Sequence, residues 1–204
     1  MTISIITSTY NSAATLKDTI ESVLSQTWTD IDYIIVDGGS TDETLQIIKQ
    51  NESRFHGKMR WISEPDEGIY DAMNKGIAMA CGDVIGILNS DDYYTSPHIL
   101  SAVAAEFERH SDIDAVYGDV HYVDGENPSR HVRYYSSRRF RRPMMRLGFM
   151  PAHPSFYCRR STYERFRLDG NAIEGFKGNP NCAYFNTTYP VAADFECLLR
   201  LIFV

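Results

Sequence analysis

Four polar segments of this sequence carry side chains suited to holding a cation, a phosphate or a base. Asn89-Ser90-Asp91-Asp92 directly follows the apolar run Val84 to Leu88. Adjacent carboxylates at the end of a buried strand repel each other unless a cation neutralises them. Oxygen-only ligands favour Mg²⁺ or Mn²⁺, which complete their shells with water and phosphate. The alternative is a solvated turn ahead of Pro97. Asp37 ends the run Ile31 to Val36, and Gly38-Gly39 lets a ligand approach the backbone. A carboxylate there can accept hydrogen bonds from a base or ribose, or cap the next helix. In Glu64-Pro65-Asp66-Glu67-Gly68, Gly68 falls at a helix start, where free N–H groups can meet phosphate. Tyr70, Asp71, Asn74 and Lys75 follow on the face opposite the apolar stripe. Tyr10-Asn11, after the first apolar run, is the fourth segment.

These segments need strands that end in one place. Ile3 to Thr9, Ile31 to Val36, Met59 to Ile62 and Val84 to Leu88 read as strands. Between them lie amphipathic helical patterns. Asn11 or Ser12 can cap the first, through Leu16, Ile20 and Val23. Ser40 with Glu43 reads as a capping box for the second. The third carries Ile69, Ala72, Met73, Gly76, Ile77 and Ala80 on one stripe, and Pro97 opens a fourth. Apolar strands separated by such helices predict an α/β fold with a mainly parallel sheet covered on both faces. Ligands of such sheets bind beyond the carboxyl ends of the strands, where all four polar segments fall. Further on, Ala115 to Tyr122 and Phe156 to Cys158 read as strands, Arg138 to Leu147 as a basic helix and 169–190 as a long loop. Ala192 to Phe203 reads as a final helix.

The chain has 204 residues, 43% of them apolar, enough to bury a core without disulfides. No apolar run approaches the roughly 18 residues of a membrane span, and no basic leader precedes Ile3. The four cysteines lie far apart with no C-x-x-C, which predicts buried free thiols in a reducing compartment rather than zinc. The net charge of −7 hides a division: residues 1–128 carry −15 and residues 129–204 carry +8. Seven arginines fall between Arg130 and Arg146. The acidic half and the overall charge argue against nucleic acid as a partner.

Four motifs occur in a recognisable order: Ser4-Ile5-Ile6-Thr7 to Asn11, Val36-Asp37-Gly38-Gly39-Ser40-Thr41-Asp42, Glu64 to Gly76, and Leu88-Asn89-Ser90-Asp91-Asp92. Together they resemble the family 2 glycosyltransferases, in particular bacterial enzymes of colanic-acid, capsule and O-antigen synthesis. The likeness covers about the first 110 residues and resumes at His153-Pro154-Ser155 and Ala193-Asp194-Phe195-Glu196. It implies a single GT-A domain over 1–204, with a nucleotide-sugar half at 1–110 and an acceptor half at 111–204. It also implies a nucleotide-sugar donor (UDP-linked in most members), Mn²⁺ or Mg²⁺, and transfer with inversion. By motif, Thr9, Tyr10 and Asn11 line the nucleotide pocket, and Asp37 bonds the base beside Gly38. Asp66, Asn74 and Ser90 lie near the nucleotide, and Asp91 with Asp92 holds the metal. Asp194 matches the acidic catalytic base, and His153 is a candidate contact to acceptor or diphosphate. Three features depart from the family: Asn89 replaces the first carboxylate of D-x-D, 169–190 is long, and Q-x-x-R-W is absent.

The expected acceptor is a hydroxyl of a glycan or lipid-linked sugar. A basic helix at Arg138–Arg146 would meet an anionic membrane, placing the protein in the cytoplasm and peripherally on the inner face of the plasma membrane. A diphosphate clamp and a solvated face are the alternatives for those arginines. The chain stops on Leu201-Ile202-Phe203-Val204 without a C-cap, which predicts a C-terminal truncation. Two rival functions are a sugar nucleotidyltransferase, which lacks its glycine-rich loop here, and a non-catalytic nucleotide-sugar-binding module.

Overall fold

The computed structural model describes residues 1–125, 127 and 130–203; Val204, at the end of the closing apolar stretch, lies outside the described residues. The elements in order are β1 (Ile3–Thr9), α1 (Leu16–Leu24), β2 (Ile31–Asp37), α2 (Thr44–Glu52), β3 (Met59–Ser63), α3 (Ile69–Met79), β4 (Val84–Ile87) and α4 (Ile99–Arg109). There follow β5 (Ala115–Tyr117), β6 (Val120–Val123), β7 (His131–Tyr135), β8 (Phe156–Arg159), α5 (Arg160–Arg165) and α6 (Ala193–Phe203). A six-stranded sheet runs β3-β2-β1-β4-β8-β5, and β6 and β7 form a separate hairpin. β1 to β4 are mutually parallel, as the sequence predicts, while β8 is antiparallel to both its neighbours.

Side chains alternate across the strands, so one run fills two cores. Ile3, Ile5, Tyr33 and Ile35 pack under α1, α2 and α4. Ile6, Ile34, Val36 and Ile85 pack under α3 and α6. Gly76 lets α3 lie close on β1, since a Cβ there would stand 2.3 Å from Ile6 Cγ2. The ladder leaves β1 for β2 on one side and β4 on the other. This change of direction opens a crevice at the carboxyl ends of β1 and β4.

Several local expectations differ. Ala115 to Tyr122 is two strands, broken at Gly118-Asp119. Arg138–Leu147 is two 3₁₀ turns, Ser137–Arg139 and Arg142–Leu147, in place of the predicted helix. Pro143 lacks an N–H and stops helical propagation. Ser40 and Glu43 do not form a capping box: the Ser40 hydroxyl bonds Asp37, and Asp42 Oδ1 accepts from Thr44 N at 3.0 Å. Cys158 and Cys197 are buried as expected, whereas Cys81 is exposed and Cys182 intermediate. Among the described residues, no helix is long and apolar enough to cross a membrane.

Candidate active site

The loop after β1 is tied to its neighbours by its own polar atoms. Asn11 adopts a left-handed conformation, φ 49°, which asparagine tolerates better than most residues. Its N–H donates to Ser40 Oγ at 2.8 Å, and its Oδ1 accepts from Thr41 N at 2.9 Å. Ala13 N donates to Asp42 Oδ2 at 3.1 Å, closing the strap between the loops after β1 and β2. Ser12 and Ser90 share a 2.9 Å hydroxyl hydrogen bond that joins the loop after β1 to that after β4. Tyr10 is 62% exposed at the crevice edge. Thr9 is buried, and its Oγ1 has no hydrogen-bond partner among the described residues.

Asp37 is 0% exposed. Its Oδ2 accepts from Gly39 N, Ser40 N and Ser63 Oγ at 3.2, 3.0 and 2.7 Å, and its Oδ1 from the Ser40 hydroxyl. A carboxylate so enclosed shapes the turn after β2 and does not face a base, contrary to the expectation from the motif. Asp66 occupies the surface over that turn instead. Its Oδ2 lies 2.6 Å from where a Cβ on Gly38 would stand, and its Oδ1 accepts from Gly68 N at 2.9 Å. Burial pushes the Asp66 carboxyl up from its ordinary value.

Asn74 also departs from its expected role. It is 1% exposed, donates to Phe185 O at 2.9 Å, and accepts from Tyr184 N and Phe185 N at 2.9 and 2.7 Å. An amide buried and engaged in this way anchors the 169–190 loop to α3. That loop packs on the side of α3 opposite the apolar stripe. Asp71 is buried, and Lys75 pairs with Asp71 at 3.3 Å and Glu64 at 3.0 Å.

Because β8 runs antiparallel to β4, its starting end lies at the finishing end of β4. The turn His153–Ser155 therefore sits beside Asn89. Asn89 Nδ2 lies 3.1 Å from His153 Nε2, and His153 Nδ1 lies 3.5 Å from Asp194 Oδ2. With its proton on Nδ1, His153 donates to Asp194 and accepts from Asn89. Tyr70, in the first turn of α3, donates to Asp194 Oδ1 at 3.0 Å. The sequence motif contained Tyr70 but did not show this role; its place off the apolar stripe was the only signal. Burial pushes the Asp194 carboxyl up, but hydrogen bonding and charge from His153, and hydrogen bonds from Tyr70 and Phe195 N, outweigh it and hold it low. Tyr70 is pushed up to about 12 by burial and by the Asp194 charge, so it stays a donor. An apolar pocket of Ile87, Phe156, Tyr163, Phe185, Cys197 and Leu198 backs Asp194 and His153.

Asp91 is exposed just beyond β4. Burial, then the neighbouring Asp91 charge, pushes Asp92 up to about 6. Asn89 Oδ1 is buried without a hydrogen-bond partner among the described residues. This set fits Mg²⁺ or Mn²⁺: an exposed carboxylate, a second carboxylate beside it, and an uncommitted amide oxygen. Among the described residues no three His, Cys, Asp or Glu side chains gather closely enough for an all-protein site. The remaining ligands would come from water and a diphosphate.

The model for "Glycosyl transferase family 2" matches residues 4–166. A PGL/p-HBAD biosynthesis glycosyltransferase of Mycobacterium tuberculosis is 40% identical over 117 residues, 57% of this chain and 46% of that protein. The chain thus spans less than half the length of this curated relative. Staphylococcus aureus TarS 1-349, solved in complex with UDP, superposes with a TM-score of 0.72 at 22% identity, covering 98% of this chain and 56% of that one. The mannosyltransferase PcManGT of Pyrobaculum calidifontis, solved with GDP-Man and Mn²⁺, superposes with a TM-score of 0.62 at 18% identity, covering 80% and 46%. At such identities the likeness is one of fold, the GT-A arrangement the sequence predicts. With a family match across most of its length, the chain belongs to glycosyl transferase family 2.

Proposed function

We propose that this chain is a metal-dependent, inverting glycosyltransferase domain, moving a sugar from a nucleoside diphosphate to a hydroxyl of a glycan or lipid-linked acceptor in bacterial surface polysaccharide synthesis. The observation that carries this reading is the meeting of Asn89, His153, Asp194 and Tyr70 at the carboxyl end of β4, beside Asp91. In this reading the diphosphate departs beside Asp91, next to the Asp194 carboxylate that His153 and Tyr70 hold low. The likeness to proteins solved with UDP and with GDP-Man and Mn²⁺ supports a nucleotide-sugar donor.

Asp91 and Asp92 would hold the cation, which when bound offsets the negative charge that develops on the departing diphosphate. Asp194 takes the proton of the acceptor hydroxyl, making it a competent nucleophile. Attack from the face opposite the leaving group inverts the anomeric carbon, as in the two-carboxylate logic of inverting hydrolysis. His153 and Tyr70 fix the orientation of Asp194 and keep it ionised. A thermal-shift screen of UDP-, GDP- and dTDP-sugars with Mn²⁺ tests the reading: UDP-sugars should raise the melting temperature only when metal is present. Equal melting curves with and without every nucleotide would contradict it.

Arg138, Arg139, Arg141, Arg142 and Arg146 are exposed, beside exposed Leu147 and Phe149. Without a helix, they form a basic, partly apolar surface on 3₁₀ turns, which suits peripheral contact with an anionic membrane presenting the acceptor. Binding to liposomes is expected to require anionic lipid and to fade with salt. Equal binding to neutral vesicles, or none to either, would remove the membrane from the account.

A further inference from the structure

We propose that Asp66, seated over Gly38, reads the donor's base, and that its single free oxygen selects a base presenting one imide N–H, as uracil and thymine do. The inference rests on the donor-site reading above and adds to it the chemistry of base selection.

Three observations carry it. Asp37, the carboxylate expected to meet the base, is enclosed by its own turn. Gly38, having no Cβ, leaves the space over that turn to the Asp66 carboxylate. It lies outside the left-handed region, so contact alone excludes a side chain there, and the contact is with Asp66 Oδ2 at 2.6 Å. Asp66 itself has two inequivalent oxygens. Oδ1 accepts from Gly68 N at 2.9 Å, and Oδ2 makes no hydrogen bond among the described residues. Gly68 can adopt φ 110° to aim that N–H at Asp66.

The position suits a base. Gly38 N donates to Thr9 O at 2.9 Å, so Asp66 overlies the seam between the ends of β1 and β2. The exposed Tyr10 follows Thr9 directly. An ionised carboxylate oxygen is an acceptor only. Uracil offers it one N–H at N3. Guanine offers two adjacent N–H donors that pair best with both carboxylate oxygens side by side, and the Gly68 N–H competes with it for Oδ1. Cytosine offers a lone pair at N3, which would face the carboxylate and repel it.

Asp66→Asn reverses the pattern. Gly68 N–H holds the amide oxygen, leaving the NH₂ toward the base, a donor that suits the cytosine N3 lone pair. Gly38→Ala acts without changing the carboxylate. Its methyl meets only the far end of a side chain, so the protein stays folded while Asp66 moves away.

The test is calorimetric titration with UDP, N3-methyl-UDP, CDP and GDP in the presence of Mn²⁺. A charge-assisted hydrogen bond is worth about 10- to 100-fold in affinity. Wild type should therefore bind UDP about 10- to 100-fold more tightly than N3-methyl-UDP or CDP, and more tightly than GDP. Asp66→Ala and Gly38→Ala should lose the preference against N3-methyl-UDP, and Asp66→Asn should shift the ratio toward CDP. If wild type binds UDP and N3-methyl-UDP equally, or Asp66→Ala keeps the discrimination, the base assignment is wrong while the donor site stands. If no nucleoside diphosphate binds, the donor-site reading falls and this inference with it.

Discussion

Asp194→Asn is expected to lower turnover of the nucleotide sugar by about 10²- to 10⁴-fold, the usual contribution of a positioned base. UDP affinity should stay close to that of the unmodified protein. The two effects separate because Asp194 belongs to α6, whereas the nucleotide contacts proposed here lie on the loops after β1, β3 and β4. Asparagine matches the shape of the carboxylate and can still accept from Tyr70, but it cannot take a proton. The pH profile adds a second reading. Burial alone would raise the Asp194 carboxyl, yet His153 and Tyr70 hold it below its ordinary value. The base is then ionised at neutral pH, and its loss appears only as pH falls through that lowered value. Release of UDP from a UDP-sugar, followed alongside calorimetric UDP binding, measures both. Near-normal turnover in the variant would show that Asp194 is not the base.

Asp91→Ala is expected to abolish the metal dependence of UDP binding. Residues that only support metal ligands are worth about 10- to 100-fold in affinity, and a direct ligand should cost more. Asp92 is a poorer substitute, since burial, the larger cause that pushes its carboxyl up to about 6, remains in the variant. Removing Asp91 takes away its repulsion of Asp92 together with the exposed oxygens. Titration of UDP with and without Mn²⁺ should give matching weak heats in the variant and divergent heats in the unmodified protein. A variant whose UDP binding still strengthens with Mn²⁺ would place the cation elsewhere.

The parallel sheet was legible because each strand is a short apolar run closed by polar residues. Asp37, Asp66, Asp91 and their neighbours fall at strand ends on spacing alone. What they do there was less legible. Asp37 and Asp66 are both carboxylates near glycines, and only the three-dimensional turn shows that one is enclosed and the other, half-buried, lies over Gly38. Asn74, expected near the nucleotide, is taken up by partners 110 and 111 positions away, in a loop without periodicity. The contact between His153 and Asn89 depends on β8 being antiparallel, which no local pattern encodes. Conversely, Pro143 was visible in the sequence, and its disruption of the arginine segment follows from the missing N–H.

A crystal structure of this chain with UDP and Mn²⁺ tests most directly whether the carboxyl ends of β1 and β4 form a metal-dependent nucleotide-sugar site. Density for manganese bonded to the Asp91 carboxylate, with the diphosphate beside it and the uracil against Asp66, is the predicted result. UDP bound away from these strand ends, or manganese on residues other than Asp91 and Asp92, would contradict it.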